Sequence, residues 1–285
     1  MTFDTTNSRI AALRALPPGS RIHLSGICGT GMAAVGKLLH NLGFTIVGSD
    51  RAFYPPMSEV VQSFASQLFP SYDIHNFSVR PDFVVIGNSI RRDNPEALFV
   101  IENQIPYASM PEVFNALLIG TRDICPTSIV IAGTHGKTTT SAAVAWMLEC
   151  AGRSPGYFIG GAPNNLPDNV RALNLTVPRP HRAVVLEGDE YDSAFFSKQP
   201  KFLSYRPDIL AITSIEFDHA DIYVSVEQIE GEFDKLVKLV PETGIIFWGD
   251  ERARMEQLGA NWKKELRCAL LAYGAKSSSD VRILQ

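Results

Sequence analysis

The sequence has few cysteines, and they form neither a ligand set nor a disulfide framework. Cys28, Cys125, Cys150 and Cys268 are scattered along the chain and include no C-x-x-C pair. This distribution argues against a structural zinc site and against an extracellular disulfide scaffold, and it fits a reducing cytosol. We therefore expect a cytoplasmic protein.

The sequence also lacks a long apolar run and a strong charge of either sign. No apolar stretch approaches the roughly 20 residues that a membrane helix needs, and the N-terminus has no apolar signal-peptide core. The formal net charge of −4 gives no broad attraction to nucleic acid or acidic membranes. We expect neither as a partner. At 285 residues, the chain suits two domains.

The chain does contain a strand, a glycine turn and a helix start in the order that phosphate binding needs. A short β-branched run precedes Gly133 and Gly136, which let backbone N–H groups point at an anion. Lys137 adds a positive charge for the β- and γ-phosphates, and Thr138 offers a hydroxyl to Mg²⁺. The residues expected to hold a nucleotide are Gly133, Thr134, His135, Gly136, Lys137, Thr138 and Thr139.

This loop departs from the common P-loop, in which four residues separate the two glycines. Only two residues separate Gly133 from Gly136, and Ile131 occupies the place of the usual first glycine. The alternative is a strand–helix turn with a solvated lysine and no ligand.

An earlier glycine turn opens a βαβ unit. The predicted strand Arg21–Ser25 leads into glycines at 26, 29 and 31, then a helix from about Met32 and a second strand that ends at Asp50. The spacing is G-x-x-G-x-G rather than the dinucleotide G-x-G-x-x-G. We predict a Rossmann-like unit whose helix N-terminus faces a diphosphate. Asp50 can bind a ribose or a base, which does not separate NAD from another nucleotide. The alternative is a packing turn without a ligand.

Polar side chains also follow other predicted strands, where open α/β sheets bind ligands. Asn88 and Ser89 follow the strand at 82–86, and they are candidates on position alone. Asn164 and Asn165 lie in a glycine- and asparagine-rich loop.

Two acidic strand ends in the second half of the chain are candidate metal sites. Glu187 ends the strand that begins at Ala183, where a Walker-B acid holds Mg²⁺. His219, between Asp218 and Asp221, follows another strand, which favours a metal or phosphate role over a structural one. The alternative for the acidic segment after Glu187 is a solvated turn.

Taken together, these motifs resemble the ATP-dependent Mur ligases of bacterial cell-wall synthesis. The resemblance rests on Ala132-Gly-Thr-His-Gly-Lys-Thr-Thr139, on Glu187-Gly-Asp-Glu190 and on Asp218-His219. The turn at residues 26–32 resembles the UDP-binding loop of members that take UDP-N-acetylmuramate. Residues 54–58, 190–196 and 216–222 look like the branch that joins this sugar to a murein tripeptide, L-Ala-γ-D-Glu-meso-diaminopimelate, in peptide recycling. The branch that adds L-alanine is the alternative.

The resemblance implies an α/β fold. It places an extension at 1–20, a Rossmann-like UDP-sugar domain at 21–125 and a P-loop-type ATPase domain with a mostly parallel sheet at 126–285. We expect the family's third, C-terminal domain to be absent. Without that domain we expect the chain to lack full activity and the residues that select the peptide.

The implied activity is ATP- and Mg²⁺-dependent amide ligation through an acyl phosphate. The implied catalytic residues are Lys137, Glu187 and His219. The implied metal ligands are Thr138, Glu187 and His219. The candidate substrate-binding residues are Gly29, Thr30, Gly31, Met32, Asp50, Asn88, Ser89, Asn164 and Asn165.

Three other functions fit parts of the sequence. An NAD-dependent oxidoreductase would use the first glycine turn and Asp50 but leaves Lys137 and Glu187 unexplained. A nucleotide-sensing module and a small-molecule P-loop kinase would use the second glycine turn. Replacing Lys137 by alanine separates these from a ligase, because ATP use should be lost while UDP-sugar binding remains.

Overall fold

The chain forms two α/β units, each built on its own sheet. The computed structural model describes residues 6–120, 124, 127–217, 223–250, 253–276 and 278–282. None of the helices in these ranges is long and apolar enough to cross a bilayer. His219, which is expected to bind metal, and its neighbour Asp218 lie outside the described residues.

The first sheet has five parallel strands in the order β3-β2-β1-β4-β5. This is the order of a doubly wound nucleotide-binding sheet, in which strand order reverses next to β1. The strands are β1 (Arg21–Ser25), β2 (Thr45–Ser49), β3 (Gln67–Phe69), β4 (Phe83–Ile86) and β5 (Tyr107–Ser109). The helices of this unit are α1 (Thr6–Arg14), α2 (Thr30–Asn41), α3 (Met57–Gln62), α4 (Pro95–Glu102) and α5 (Met110–Phe114), the last continued by a π-helical turn over Asn115–Ile119.

The second sheet has eight strands in the order β15-β14-β13-β12-β6-β9-β7-β8, all parallel except the pairing of β7 with β8. Its strands are β6 (Thr127–Ala132), β7 (Gly156–Phe158), β8 (Val170–Arg171), β9 (Ala183–Gly188), β12 (Ile209–Ile212), β13 (Ile245–Gly249), β14 (Ala269–Gly274) and β15 (Val281–Arg282). A separate hairpin joins β10 (Asp192–Ala194) to β11 (Ser197–Pro200). The helices are α6 (Lys137–Cys150), α7 (Val226–Val237) and α8 (Ala253–Glu265).

The central strands of both sheets are buried, as their apolar sequences predict. All four residues of β4 are buried, and so are all six of β9, including Glu187. Strands covered on both faces need near-continuous apolar runs, which these segments have. The predicted α/β fold with mostly parallel sheets is confirmed.

Two segments differ from what the sequence indicates. The sequence predicts a helix from Glu59 to Gln67, but the helix ends at Gln62. Ser66 bonds through both its N–H and its hydroxyl to the Ile46 carbonyl and so turns the chain into edge strand β3. The segment after Asp192, to which the sequence assigns no element, forms the β10–β11 hairpin.

Candidate functional site

The phosphate loop between β6 and α6 lies against the segment after β12. Gly133 has φ +133°, and a Cβ there would lie 2.2 Å from Thr213 Oγ1. The Thr134 N–H donates to the Ser214 carbonyl at 2.8 Å, and the Thr213 hydroxyl donates to the His135 carbonyl at 2.5 Å. Glycine is therefore required at 133 for both its backbone conformation and its close contacts.

Lys137 stands at the first turn of α6 and makes an ion pair with an acidic residue that follows β9. Its Nζ lies 2.7 Å from Glu190 Oε2 and 3.2 Å from the Thr134 carbonyl. Glu190 is 2% exposed, and burial raises the pKa of its carboxyl even though Lys137 acts in the opposite direction. Lys137 is partly exposed, and a lysine that pairs with one carboxylate beside the glycine loop can also bind a phosphate group.

Thr138 and Glu187 form the second polar contact of this loop. The Thr138 hydroxyl donates to Glu187 Oε1 at 2.9 Å, and the Gly160 N–H donates to Glu187 Oε2 at 2.7 Å. Glu187 is 8% exposed. A hydroxyl beside a carboxylate is the oxygen donor set with which P-loop proteins bind Mg²⁺, the remaining positions being filled by phosphate and water. The two residues therefore fit a magnesium ion that arrives with a nucleotide. Within the described ranges, no group of three or more His, Cys, Asp or Glu could hold a metal by itself.

The first glycine turn is held in place by Ser49 and Asp50. The N–H groups of Gly26 and Ile27 donate to the Ser49 carbonyl at 2.9 and 3.1 Å. Asp50 Oδ2 accepts the Cys28 N–H at 2.9 Å. The carboxylate of Asp50 thus binds the glycine turn, and its contact with a ribose or a base stays a prediction.

Cys28 lies in this turn but has no features of a nucleophile. Burial, with a further contribution from Asp50, raises the pKa of its thiol to about 11. The thiol therefore stays protonated near neutral pH, whereas the nucleophilic form of cysteine is the thiolate. This agrees with the sequence, in which no histidine or aspartate pattern accompanies Cys28.

A cavity of about 300 Å³ lies between the two units and brings the two halves of the predicted site together. Its lining includes the start of α2 from the first unit and Glu187 from the second. The lining residues are Gly29, Thr30, Gly31, Met32, Asn88, Met110, Phe158, Gly160, Glu187, Asp189, Ser193 and Lys201. A group bound at the N-terminus of α2 can thus reach the carboxylate beside the phosphate loop.

A second cavity, of about 380 Å³, covers the phosphate loop. It is lined by Thr134, His135, Gly136, Lys137, Thr138, Thr139, Asp189 and Tyr191. All but the first of the seven residues predicted to hold a nucleotide line it. Asp189 lines both cavities, so they meet at the acidic segment after β9.

Four predicted substrate residues line neither cavity, and Asp50, which holds the glycine turn, is one of them. Ser89, Asn164 and Asn165 are exposed, and neither lining includes them. Ser89 packs near Gly26, its Oγ 3.6 Å from the position of a Cβ there. Only Gly160, at the start of the loop that contains the two asparagines, reaches the first cavity.

Six residues of this lining are not among the predicted site residues, and Lys201 and Met110 are two of them. Lys201 Nζ lies 2.5 Å from Asp189 Oδ2, and both residues line the cavity. Met110 lines it from the start of α5. The crowding of carboxylates after Glu187 was a signal for a nearby cation, but nothing in the sequence pointed to Lys201, because the hairpin that returns it to the site was not predicted.

Comparison with known proteins assigns both units to one family. Residues 131–284 match the Mur ligase middle domain, and residues 21–122 match the Mur ligase family, catalytic domain. The chain belongs to the Mur ligase family. Members of this family are ATP-dependent ligases.

Among curated relatives, the chain is 39% identical over 237 residues to the UDP-N-acetylmuramate–L-alanyl-γ-D-glutamyl-meso-2,6-diaminoheptandioate ligase of Escherichia coli K12, covering 83% of this chain and 50% of that protein. It is 32% identical over 275 residues to the UDP-N-acetylmuramate–L-alanine ligase of Paenarthrobacter aurescens, covering 96% of this chain and 55% of that protein. The chain therefore spans about half the length of the curated relatives it matches.

Among solved structures, the chain is similar to the UDP-N-acetylmuramate:L-alanyl-γ-D-glutamyl-meso-diaminopimelate ligase from Neisseria, with a TM-score of 0.81 and 31% identity. That match covers 92% of this chain and 79% of the other. The UDP-N-acetylmuramate–alanine ligase of Thermotoga maritima matches with a TM-score of 0.68 and 25% identity over 90% of this chain and 53% of the other.

Proposed function

We propose that this chain supplies the UDP-sugar site and the ATP site of a ligase that joins UDP-N-acetylmuramate to a murein tripeptide. The observation that carries the proposal is the cavity between the units, which is lined by both the first glycine turn and Glu187. A ligase that makes an acyl phosphate must bring a substrate carboxylate to the γ-phosphate of ATP. The two loops open into neighbouring cavities that share Asp189 in their linings, and this arrangement suits that reaction.

In this proposal the first unit binds the UDP-sugar. Thr30, Gly31 and Met32 at the start of α2 line the cavity, and this helix end suits the diphosphate, because a helix N-terminus attracts anions. Asn88, which also lines the cavity, can donate its amide N–H to the sugar or the phosphates. Asp50 contributes indirectly, since it holds the turn through the Cys28 N–H.

The second unit binds ATP in the cavity over the phosphate loop. Lys137 contacts the β- and γ-phosphates, and the N–H groups of Gly136 and its neighbours complete the anion site. Thr138 and Glu187 would hold Mg²⁺, which when bound neutralises charge on the transferred phosphate. His219, outside the described residues, stays a prediction as a further ligand.

Catalysis of this reaction depends more on positioning the reacting groups than on proton transfer. The muramate carboxylate attacks the γ-phosphorus, the bond to the bridging oxygen breaks, and ADP leaves with that electron pair. The peptide amine next attacks the acyl carbon, loses a proton and expels phosphate, which completes the amide. Lys137 counters negative charge in the first step, and Lys201, which lines the first cavity, can hold the muramate carboxylate near it.

Two similarities support the tripeptide over L-alanine as the amine substrate. The E. coli relative at 39% identity and a Haemophilus influenzae relative at 36% both have names that specify the tripeptide. Alanine-adding relatives have lower identities, 32% for that of Paenarthrobacter aurescens and 34% for that of Neisseria gonorrhoeae.

Replacing Lys137 tests the proposal. We expect Lys137→Ala to weaken the binding of a non-hydrolysable ATP analogue with Mg²⁺ by at least about tenfold, or about 1.4 kcal/mol, and to leave UDP-N-acetylmuramate binding unchanged. Titration calorimetry measures both affinities.

Lys198→Ala is the matched control, because Lys198 also pairs with a carboxylate, Asp192, but lines neither cavity. It should leave both affinities unchanged. Equal loss in the two variants, or loss of UDP-sugar binding in Lys137→Ala, would contradict the assignment.

A further inference from the structure

Arg9, on α1, is buried and fixed to the start of α5. It is 4% exposed, and its Nη2 and Nε both donate to Glu112 Oε1, at 2.6 and 2.9 Å. The other oxygen of Glu112 accepts the N–H and the hydroxyl of Ser109, at 2.8 and 2.9 Å. Glu112 thereby completes a capping box for α5, and Arg9 is bound to the residue that makes this cap.

The start of α5 in turn contacts the first glycine turn. Met110, next to Ser109, lines the cavity between the units. A Cβ added to Gly31 would lie only 2.3 Å from Met110 Sδ. The start of α5 therefore packs directly against the start of α2.

The other side of the Arg9 guanidinium faces the second unit. Its Cζ lies 4.8 Å from the ring centroid of Phe196 and 5.7 Å from that of Tyr107. The Phe196 and Tyr107 rings meet edge-on at 5.0 Å. Phe196 is at the tip of the β10–β11 hairpin, so a planar cation from α1 packs on an aromatic ring of the second unit.

The base of that hairpin is the acidic segment that contacts the phosphate loop. The Lys201 N–H donates to the Tyr191 carbonyl at 3.0 Å, and the Lys201 ammonium pairs with Asp189. Between these residues, Glu190 holds Lys137. A shift of the hairpin would therefore move the carboxylate that pairs with the phosphate-loop lysine.

We infer that Arg9 is a positioning residue that sets the distance between the two substrate loops. It contacts the first loop through Glu112 and α5, and the second through Phe196 and the hairpin. The identity of the ligands in this inference rests on the proposed function. The sequence alone assigned no role to residues 1–20.

Hydrogen exchange on the ligand-free chain tests the placement. We expect Arg9→Gln to speed amide exchange about tenfold or more in residues 110–114 and 192–200, while the central strands β1 and β6 keep their protection. Phe196→Leu should loosen the hairpin alone. Unchanged exchange in both segments, or a uniform increase over the whole chain, would overturn the inference.

Two variants serve as matched controls for exchange. Arg14→Gln removes another arginine of α1, one that is exposed and whose Nε donates to the Ala116 carbonyl at 3.0 Å. Phe99→Leu makes the same ring deletion in the apolar cluster that Phe196 packs against. Both controls should leave exchange in the hairpin at the wild-type rate.

Nucleotide affinity separates positioning from a merely structural role. Measured well below the melting temperature of every variant, the binding of an ATP analogue with Mg²⁺ should weaken about fivefold or more in Arg9→Gln and less in Arg9→Lys, which keeps the charge but loses the planar face. A lower melting temperature with wild-type affinity would overturn the inference. If the wild-type chain binds no nucleotide, the proposed function fails, and the exchange experiment still decides the role of Arg9.

Discussion

Glu96 is a fully buried carboxylate beneath the first glycine turn. It accepts hydrogen bonds from the hydroxyls of Ser25 and Ser49 at 2.5 and 2.6 Å and from the Asn76 amide at 2.7 Å, and His23 Nε2 lies 3.3 Å away. Burial by itself would raise the pKa of Glu96, but His23 and these donors lower it overall. Ser25 is the last residue of β1, directly before the glycine turn. Ser49 is the last residue of β2, and its carbonyl accepts two N–H groups of that turn.

The lowered pKa of Glu96 makes stability depend on pH. Because the folded pKa lies below the unfolded value of about 4.3, the charged form stabilises the fold above that pH, and this contribution is lost as pH falls through the folded pKa. We expect Glu96→Gln to lower the free energy of unfolding by about 3 kcal/mol at pH 7, and by less at pH 4. Urea denaturation at both pH values measures it.

Glu59→Gln is the control for this change, since Glu59 is an exposed carboxylate at the start of α3. Glu59→Gln should lower the free energy of unfolding by less than about 0.5 kcal/mol at either pH. A loss in Glu96→Gln that matches the control would show that the buried network contributes little.

Gly160 touches the candidate metal ligand. A Cβ there would lie 2.6 Å from Glu187 Oε1, so Gly160→Ala must displace the carboxylate that accepts from Thr138. We expect the Mg²⁺-dependent affinity for an ATP analogue to fall about tenfold, or about 1.4 kcal/mol. Calorimetric titrations with and without Mg²⁺ measure this change.

Gly231→Ala is the control, because a Cβ at Gly231 in α7 meets nothing within 4 Å. An equal affinity for the analogue in Gly160→Ala and wild type, with Mg²⁺ present, would argue against Glu187 as a metal ligand.

Single residues show what could be predicted from the sequence and what could not. Lys137 and Thr138 begin the helix that follows β6, and Glu187 lies at the end of β9 in the same sheet. The three could therefore be placed at one edge of that sheet. The bond from the Cys28 N–H to Asp50 could not be predicted, because this donor reaches the carboxylate only when the glycine turn has folded. The two asparagines were named for their chemistry, while the loop that carries them leaves their side chains exposed.

At the scale of elements, the turn between β6 and α6 depends on contacts from β12. Gly133→Ala would place a Cβ 2.8 and 2.9 Å from the backbone of Ser214, in addition to its clash with Thr213. We expect this change to lower the free energy of unfolding by at least about 2 kcal/mol, because backbone conformation and sterics both oppose it. Urea denaturation measures the loss.

Gly152→Ala separates the two causes. Gly152 also has a positive φ, +70°, at the end of α6, but a Cβ there has nothing within 4 Å. Gly152→Ala should lower the free energy of unfolding by about 1 kcal/mol, because only conformational strain opposes it. If the two variants lose the same amount, the contact between the phosphate loop and the β12 segment is not what requires glycine at 133.

Most strands and helices could be predicted because apolar periodicity and glycine or proline boundaries agree in each. The exceptions are elements that tertiary pairing creates. Strand β3 forms because it pairs with β2, and the β10–β11 hairpin packs its phenylalanines on the first unit. Neither has an apolar pattern of its own that distinguishes it from a loop.

At the scale of the whole molecule, the proposed function depends on two sheets presenting their loops to one cavity. The sequence could place each glycine turn at the carboxyl end of its own sheet, as parallel sheets dictate. It could not show that these ends meet, since that arrangement follows from contacts between distant residues such as Arg9 and Phe196. That the two loops face each other is therefore known from the structure and not from the sequence.

Calorimetric titration of this chain with UDP-N-acetylmuramate, with NAD titrated in parallel, tests the central claim most directly. The proposed function predicts saturable binding of the UDP-sugar at one site and no binding of NAD. Binding of NAD in place of the UDP-sugar would contradict it, because the first glycine turn would then serve a dinucleotide.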